Sequence, residues 1–273
     1  MGEKAFLIDT TKCMGCRACQ VACKQWNNLP AEDTSFFAAP EYTNPKGLSA
    51  ITYNLVRFYE LDREDPEKPL WQIMHQKCYH CEEPNCLRVC PVKAISKRGG
   101  WVVIDQNICI GCGACQEECV YNVPHVSDRD FNEYGIDKPI KKNKAYKCHA
   151  CTVNERDIPA CAAVCPTKSI LYDDRIKVLD RASKRLKKIK DEYPKASIYG
   201  KDQFSGLHVI TILKDKPEKY GLESSPKPIE ISMIKNANRL YSILSTLTLG
   251  LPSLKRRAYR ISRIIITKGS NFS

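Results

Sequence analysis

The sequence predicts an α+β chain: two copies of one small cysteine-bearing unit, one inserted in the other, followed by a C-terminal helical and basic extension. Three observations predict it. All 16 cysteines of the 273-residue chain fall into four groups of four. The groups alternate between a tight and a looser spacing, so their order is A-B-A-B. Short apolar segments of strand length flank the groups, and an amphipathic stretch follows the last one.

Taken in chain order, Ala5–Ile8 is an apolar run of strand length. The first group is Cys13-x2-Cys16-x2-Cys19-x3-Cys23. Residues 27–50, rich in Pro, Asn and Ala, read as a long ordered loop. Ile51–Tyr59 and Leu70–Met74 read as strands. The second group is Cys78-x2-Cys81-x4-Cys86-x3-Cys90, followed by Pro91. Trp101–Ile104 is a short strand, and the third group, Cys109-x2-Cys112-x2-Cys115-x3-Cys119, repeats the spacing of the first. The fourth is Cys148-x2-Cys151-x9-Cys161-x3-Cys165, followed by Pro166. One-turn helices are expected after Cys23, Cys90, Cys119 and Cys165. Ser169–Tyr172 reads as a strand. Asp180–Tyr193 reads as an amphipathic helix, capped by Asp180, with Ala182, Leu186, Ile189 and Tyr193 on one face and Pro194 ending it. Leu207–Leu213 completes the strands.

The spacing carries specific chemistry. A [4Fe–4S] cubane needs four thiolates on one concave surface, and C-x2-C-x2-C wraps three around a tight turn whose amides stay free to bond cluster sulfurs. The fourth cysteine, often before proline, ligates the neighbouring cluster in two-cluster ferredoxins. Gly15, Gly111 and Gly113 suit backbone that passes close to a cluster. Zinc sites present two C-x2-C pairs across a longer loop and often include His, and a disulfide framework belongs to short exported chains. Four complete motifs that use every cysteine therefore indicate four [4Fe–4S] clusters in two bacterial-type two-cluster ferredoxin-like domains. The adjacent second and third groups form an inner unit over residues 77–120. The first and fourth close an outer unit over 1–76 and 121–180, and residues 181–273 form the extension. His80 and His149, inside C-x2-C turns, are expected on the surface or behind the ligands, and His75, His125 and His208 as ordinary structural residues. No phosphate-binding glycine loop and no nucleophile–base arrangement is present, so the chain reads as a wire without a reaction centre.

Charge is uneven. Residues 1–180 hold 23 basic and 24 acidic side chains, and residues 181–273 hold 20 and 7. The formal +12 counts every cysteine as neutral. Four cubanes at roughly −2 each leave about +4, with an acidic cluster region and a basic tail. That distribution argues against a nucleic-acid partner and for a membrane surface or an acidic subunit. Leu240–Leu254 is apolar but contains Pro252, and basic residues flank it. It falls short of the roughly 17–25 residues of a spanning helix and reads as a packed or interfacial helix. No cleavable signal peptide is evident at Met1–Asp9.

Several stretches carry a resemblance. Cys148-His-Ala-Cys151 through Cys165-Pro166, and Val120-Tyr121-Asn122-Val123-Pro124, resemble the four-cluster iron–sulfur (beta) subunits of molybdenum- or tungsten-pterin oxidoreductases. Cys19-Gln-Val-Ala-Cys23-Lys-Gln-Trp26-Asn27, Leu29-Pro30-Ala-Glu and Asn44-Pro45-Lys-Gly-Leu48-Ser49-Ala50 are similar to the formate dehydrogenase type. So are Leu186–Tyr193, Gly206-Leu-His208-Val209 through Lys216-Pro217, and Tyr220-Gly221-Leu222. The resemblance implies ligand sets that cross between groups. One cluster takes Cys13, Cys16, Cys19 and Cys165, and its partner Cys148, Cys151, Cys161 and Cys23. The inner pair takes Cys78, Cys81, Cys86 and Cys119, then Cys109, Cys112, Cys115 and Cys90.

The implied function is electron transfer between a molybdo- or tungstopterin catalytic (alpha) subunit that oxidises formate and a membrane cytochrome b or quinone-reactive subunit, without catalysis by this chain. The implied location is peripheral, on the extracytoplasmic face, reached by export with a partner that carries the signal. Nitrate reductases replace one cysteine of the third group by an aromatic residue; Cys112 is present here. Val120 departs from the family's usual proline, and relatives with a membrane anchor carry a longer apolar helix than Leu240–Leu254. The same role in a polysulfide, thiosulfate, dimethyl sulfoxide or arsenate reductase, or that of a free polyferredoxin, are the other readings.

Overall fold

The computed structural model describes residues 3–34, 42–60, 71–131, 140–152 and 156–228. Four small sheets and five helices organise them. The largest sheet has the strand order β8 (Ile170–Asp174), β1 (Lys4–Asp9), β10 (Val209–Leu213), β9 (Ser197–Tyr199). Strand β1 runs antiparallel to β8 and parallel to β10, with Phe6 opposite Tyr172 on one side and Val209 on the other. Three antiparallel pairs complete the strands: β2 (Asn54–Glu60) with β3 (Trp71–Lys77), β4 (Ile95–Arg98) with β5 (Trp101–Ile104), and β6 (His125–Val126) with β7 (Ala145–Tyr146).

The main sheet is buried on both faces, which is why Ala5–Ile8 reads as an unbroken apolar run. Successive strand side chains point to opposite faces. Ala5, Leu7, Ile210 and Ile212 pack under helix α5 (Arg175–Ile189) through Val178, Ala182 and Ile189. Phe6, Ile8, Val209 and Leu213 face the other way, into a core that contains Cys19, Cys23, Cys148, Cys161 and Cys165. A separate apolar cluster of Cys86, Ala94, Ile95, Val102, Cys109, Cys115 and Ala145 fills the inner unit.

Several sequence expectations move. The helices start before the last cysteine of each group: α1 (Ala18–Trp26) carries Cys19 and Cys23 and runs on to Trp26, while α2 (Asn85–Arg88), α3 (Ala114–Glu117) and α4 (Ala160–Ala163) carry the third cysteine and end before the fourth. Proline after Cys90 and Cys165 cannot continue a helix, and the chain turns there instead. Helix α5 starts at Arg175, because the apolar spacing already begins at Val178; Asp180 is not its cap but an exposed interior residue paired with Lys184 at 2.7 Å. The expected boundary at residue 180 falls inside α5, and β9 and β10 beyond it belong to the sheet of β1. Past the expected boundary at 120, Val126 and Ala145 pack into the inner core. Strand β4 pairs with β5 where no strand was expected, its polar Ser96, Lys97 and Arg98 obscuring the pattern. The 27–50 loop holds no helix or strand among its described residues; Lys24 ties it down by donating to the carbonyls of Pro30 and Ile51, both at 3.0 Å. Leu240–Leu254 lies outside the described residues.

The two units meet along a seam of backbone bonds. Glu82 N donates to Gly206 O at 2.8 Å, Glu83 N to Phe204 O at 3.1 Å, and His208 N to Tyr79 O at 3.1 Å. Trp101 fills the seam, its ring 5.0 to 5.9 Å from those of His80, Phe6, His208 and Tyr172. Beneath it the fully buried His208 faces Lys4 O at 2.8 Å and the Glu82 carboxylate at 3.1 Å. Lys97 also pairs with Glu82, and its hydrogen bond, followed by that of His208, holds the Glu82 carboxyl below the usual range.

Truncating a side chain buried between the central strand and α5, as in Ile210→Ala, leaves a cavity that costs about 2–5 kcal/mol. The expected outcome is a lowered Tm with the visible cluster absorption unchanged at low temperature. Because the Glu82 pKa is depressed in the folded state, its contribution is present at neutral pH and is lost as pH falls through that lowered value. Glu82→Gln is therefore expected to lower the Tm at neutral pH, and the gap to the unmodified protein to close on acidification.

Candidate metal centres

Each cysteine group is built on one strained turn. The residue just before the second cysteine has a positive φ in all four groups: Gly15 (+70°), His80 (+48°), Gly111 (+62°) and Ala150 (+55°). Gly111 is required sterically as well, since a Cβ there would lie 2.1 Å from Asn143 O. At two of these left-handed kinks the residue's own amide turns toward the first cysteine of the group. Gly111 N donates to Cys109 Sγ at 3.4 Å and Ala150 N to Cys148 Sγ at 3.4 Å. A second kink follows the last cysteine by three residues, at Lys93, Asn122 and Lys168. There Ala94 N donates to Cys90 Sγ at 3.2 Å. A non-glycine residue at positive φ costs of order 1–3 kcal/mol and persists only where its surroundings demand it. A bound sulfur-rich centre supplies that demand.

Thiols of different groups are brought close to one another, Cys23 with those of the fourth group and Cys90 with those of the third. Burial pushes Cys13 up, and its electrostatic neighbours are Cys165 and Cys16. Cys23 is raised by burial and then by Cys148, Cys161 and Cys151. Cys81 is raised by burial and then by Cys78, Cys86 and Cys119. Cys112 is pushed up to about 11 by burial, with Cys90 and Cys109 adding to it. The third cysteines also act on each other: Cys19 is raised to about 12 by burial and then by Cys161, and Cys115 is raised by burial and then by Cys86. Helices α1 and α4 pack together, as do α2 and α3.

Two of the sets open onto cavities. Cys23, Cys148, Cys151 and Cys161 line one. Cys90, Cys109, Cys112 and Cys115 line another, walled by Val92, Ile95 and Ile104. Buried thiols such as Cys23 and Cys115 resist ionisation, through desolvation and then neighbouring thiolates, unless a cation neutralises them. Iron supplies that charge, and the free amides aimed at sulfur suit bridging sulfides, so the donor set fits a [4Fe–4S] centre.

Three residues near the thiols went unnoticed in the sequence. His75, expected as an ordinary structural residue, is buried with Nε2 3.5 Å from Cys13 Sγ and Nδ1 3.5 Å from Cys19 Sγ. Burial, followed by Lys77, lowers its pKa to about 3, so it is neutral. Lys77 and Lys147 are buried cations. Lys77 Nζ lies 3.6 Å from Cys161 Sγ and 3.5 Å from the centre of the Phe6 ring. Lys147 Nζ donates to the carbonyls of Val102 and Cys148, with Cys78 its first electrostatic neighbour. Both immediately precede the first cysteine of a group, a signal that Lys12 dilutes by holding the same place before Cys13 while exposed. Of the C-x2-C histidines, His80 is fully buried and accepts from Val102 N at 3.1 Å, which rules out a surface position; His149 lines the Cys148 cavity. His125 bonds Asn122 O at 3.1 Å, and His208 holds the seam.

Two family models, each described as a 4Fe-4S dicluster domain, match residues 12–94 and 69–175. The nitrate-inducible formate dehydrogenase iron-sulfur subunit of Escherichia coli is 36% identical over 86% of this chain and 78% of its own length. The formate dehydrogenase iron-sulfur subunit of Haemophilus influenzae is 34% identical over 85% and 72%. Formate dehydrogenase 2 subunit beta (cytochrome c-553) of Nitratidesulfovibrio vulgaris is 31% identical over 80% and 96%. Among the described residues no helix is long and apolar enough to cross a membrane. The chain therefore belongs to the iron–sulfur subunits of formate dehydrogenases, electron-transfer proteins that carry four [4Fe–4S] clusters and are not the catalytic subunit.

Proposed function

We propose that this chain relays electrons between the molybdo- or tungstopterin subunit of a formate dehydrogenase and a membrane cytochrome b or quinone-reactive subunit. The observation that carries this is the run of electrostatic neighbours among the thiols: Cys161 acts on Cys19, Cys78, Cys86 and Cys148 act on Lys147, and Cys86 acts on Cys115. We read the four sets as one line.

The ligand sets proposed are Cys13, Cys16, Cys19 and Cys165; Cys148, Cys151, Cys161 and Cys23; Cys78, Cys81, Cys86 and Cys119; and Cys109, Cys112, Cys115 and Cys90. When bound, each cluster takes up and passes on a single electron. The chain's own residues hold the thiols, direct amides at sulfur and exclude water. The first two sets form the outer unit, which meets the catalytic subunit, and the last two form the inserted inner unit, which meets the acceptor. Exposed Cys16, with Met14 beside it, marks the outer end. Peripheral association on the extracytoplasmic face completes the reading, supported by the basic excess after residue 180.

Anaerobic affinity purification of the tagged chain from its host, with mass spectrometry, tests the partner. Recovery of a pterin-bearing formate dehydrogenase subunit is expected; a different pterin subunit would move the substrate, and the iron-loaded chain alone would end the subunit reading. The ligand sets predict pairs of equivalent variants. Cys165→Ser should remove the same electron paramagnetic resonance (EPR) signal as Cys13→Ser, and Cys23→Ser the same signal as Cys148→Ser. Loss organised by sequence group instead, with Cys23→Ser matching Cys13→Ser, would refute the crossed sets.

A further inference from the structure

The chain passes between the two units at two places, and a Lys-Cys dipeptide stands at each. The first is Lys77-Cys78, at the end of β3; the second is Lys147-Cys148, just after β7. Adjacent side chains of extended backbone point to opposite sides. A dipeptide lying between two centres therefore turns its cysteine to one and its lysine to the other. The contacts follow this rule. Lys77, joined to Cys78 of the inner unit, places its ammonium at Cys161 of the outer unit. Lys147, joined to Cys148 of the outer unit, donates to Val102 O of the inner unit, with Cys78 its first electrostatic neighbour. The two lysines cross.

Neither is an ordinary buried cation. Lys77 is 1% exposed and Lys147 5%. A buried ammonium is costly unless an opposite charge compensates it. No ion pair joins either to a carboxylate among the described residues, and their partners are sulfur, backbone carbonyls and, for Lys77, the Phe6 ring. The charge that compensates them is the one gathered on the cysteine sets.

We propose that Lys77 and Lys147 are positioning residues that raise the reduction potentials of the two middle clusters, each acting on the cluster of the opposite unit, and so set the electron step between units. Reduction adds one negative charge to a cluster, and an ammonium beside its thiolates stabilises that added charge. Lys77 serves the Cys148, Cys151, Cys161 and Cys23 set; Lys147 serves the Cys78, Cys81, Cys86 and Cys119 set. The proposal rests on the ligand sets given above.

The test is an EPR-monitored redox titration of the whole complex carrying Lys77→Met, Lys147→Met or, as the exposed control, Lys12→Met. Each middle cluster is first identified by the signal that Cys148→Ser or Cys78→Ser removes. Lys77→Met is expected to shift the Cys148-set cluster to lower potential by at least tenfold in its reduction equilibrium, 59 mV for one electron. Lys147→Met should do the same to the Cys78-set cluster, and Lys12→Met should move neither. If a methionine variant fails to assemble, Lys77→Gln or Lys147→Gln, which keep a donor and lose the charge, give the same reading. Lys77→Arg and Lys147→Arg should restore the potential. Unmoved potentials, or an equal drop in all four clusters, would overturn the proposal. The serine variants test the ligand sets on their own, so failure of that assignment is recognised separately.

Discussion

Eleven buried thiols among sixteen can share one interior only if something neutralises the charge they acquire on binding metal, and this constraint shapes most of the molecule. Buried thiols such as Cys23, Cys81 and Cys115 resist ionisation, first because of desolvation and then because of one another. The chain answers with amides and cations. Left-handed kinks before the second cysteine of every group free backbone N–H groups, and three of the groups repeat the device after the last cysteine. Where amides do not suffice, two lysines enter the interior. The strain of non-glycine kinks and the desolvation of the lysines are tolerable only with metal bound, so assembly of the centres and folding of the cysteine loops are one event.

The remaining structure is a frame that tolerates such loops. The four-stranded sheet turns Phe6, Ile8, Val209 and Leu213 toward the cysteine core and Ala5, Leu7, Ile210 and Ile212 toward α5. Strand β1 has partners on both edges, and it is joined in parallel to a strand more than 200 residues away in sequence. The first and last described parts of the chain therefore close around the outer cysteine groups. The return segment through Phe204 and His208 also bonds the loop of the second group, so the same passage of chain that completes the sheet fixes the inner unit. Trp101 sits at that junction, and its four aromatic neighbours come from four separate stretches of sequence.

What the sequence disclosed was the part with a short period. Cysteine spacing depends on a few neighbouring residues, so it was legible, as were the glycines at 15 and 111 and the apolar face of α5. The starts of the helices are hidden because C-x3-C looks like a turn leading into a helix; in the structure the third cysteine already lies in the helix. His80 and Ala150 adopt the glycine-like turn without being glycine, and no local rule announces that. Strands β4 and β9 were hidden because partners supply their pattern. Lys77, Lys147 and His75 were missed for one reason: solvent exposure of a polar residue is the ordinary outcome, and only the tertiary placement of distant thiols reverses it.

The line of four sets follows from the order in which the chain visits them. The middle groups are contiguous and fold on each other through α2 and α3; the first and last close through α1 and α4. A chain that leaves one unit and later returns must cross the boundary twice, and each crossing delivers the first cysteine of the next group. Cys78 and Cys148 are those residues, so in the proposed assignment their two sets lie nearest the seam. The sets led by Cys13 and Cys109 then take the outer positions by elimination, with exposed Met14 next to the first and exposed Ile108 next to the second. On that proposal, insertion of one dicluster unit into another makes a wire with two distinct ends.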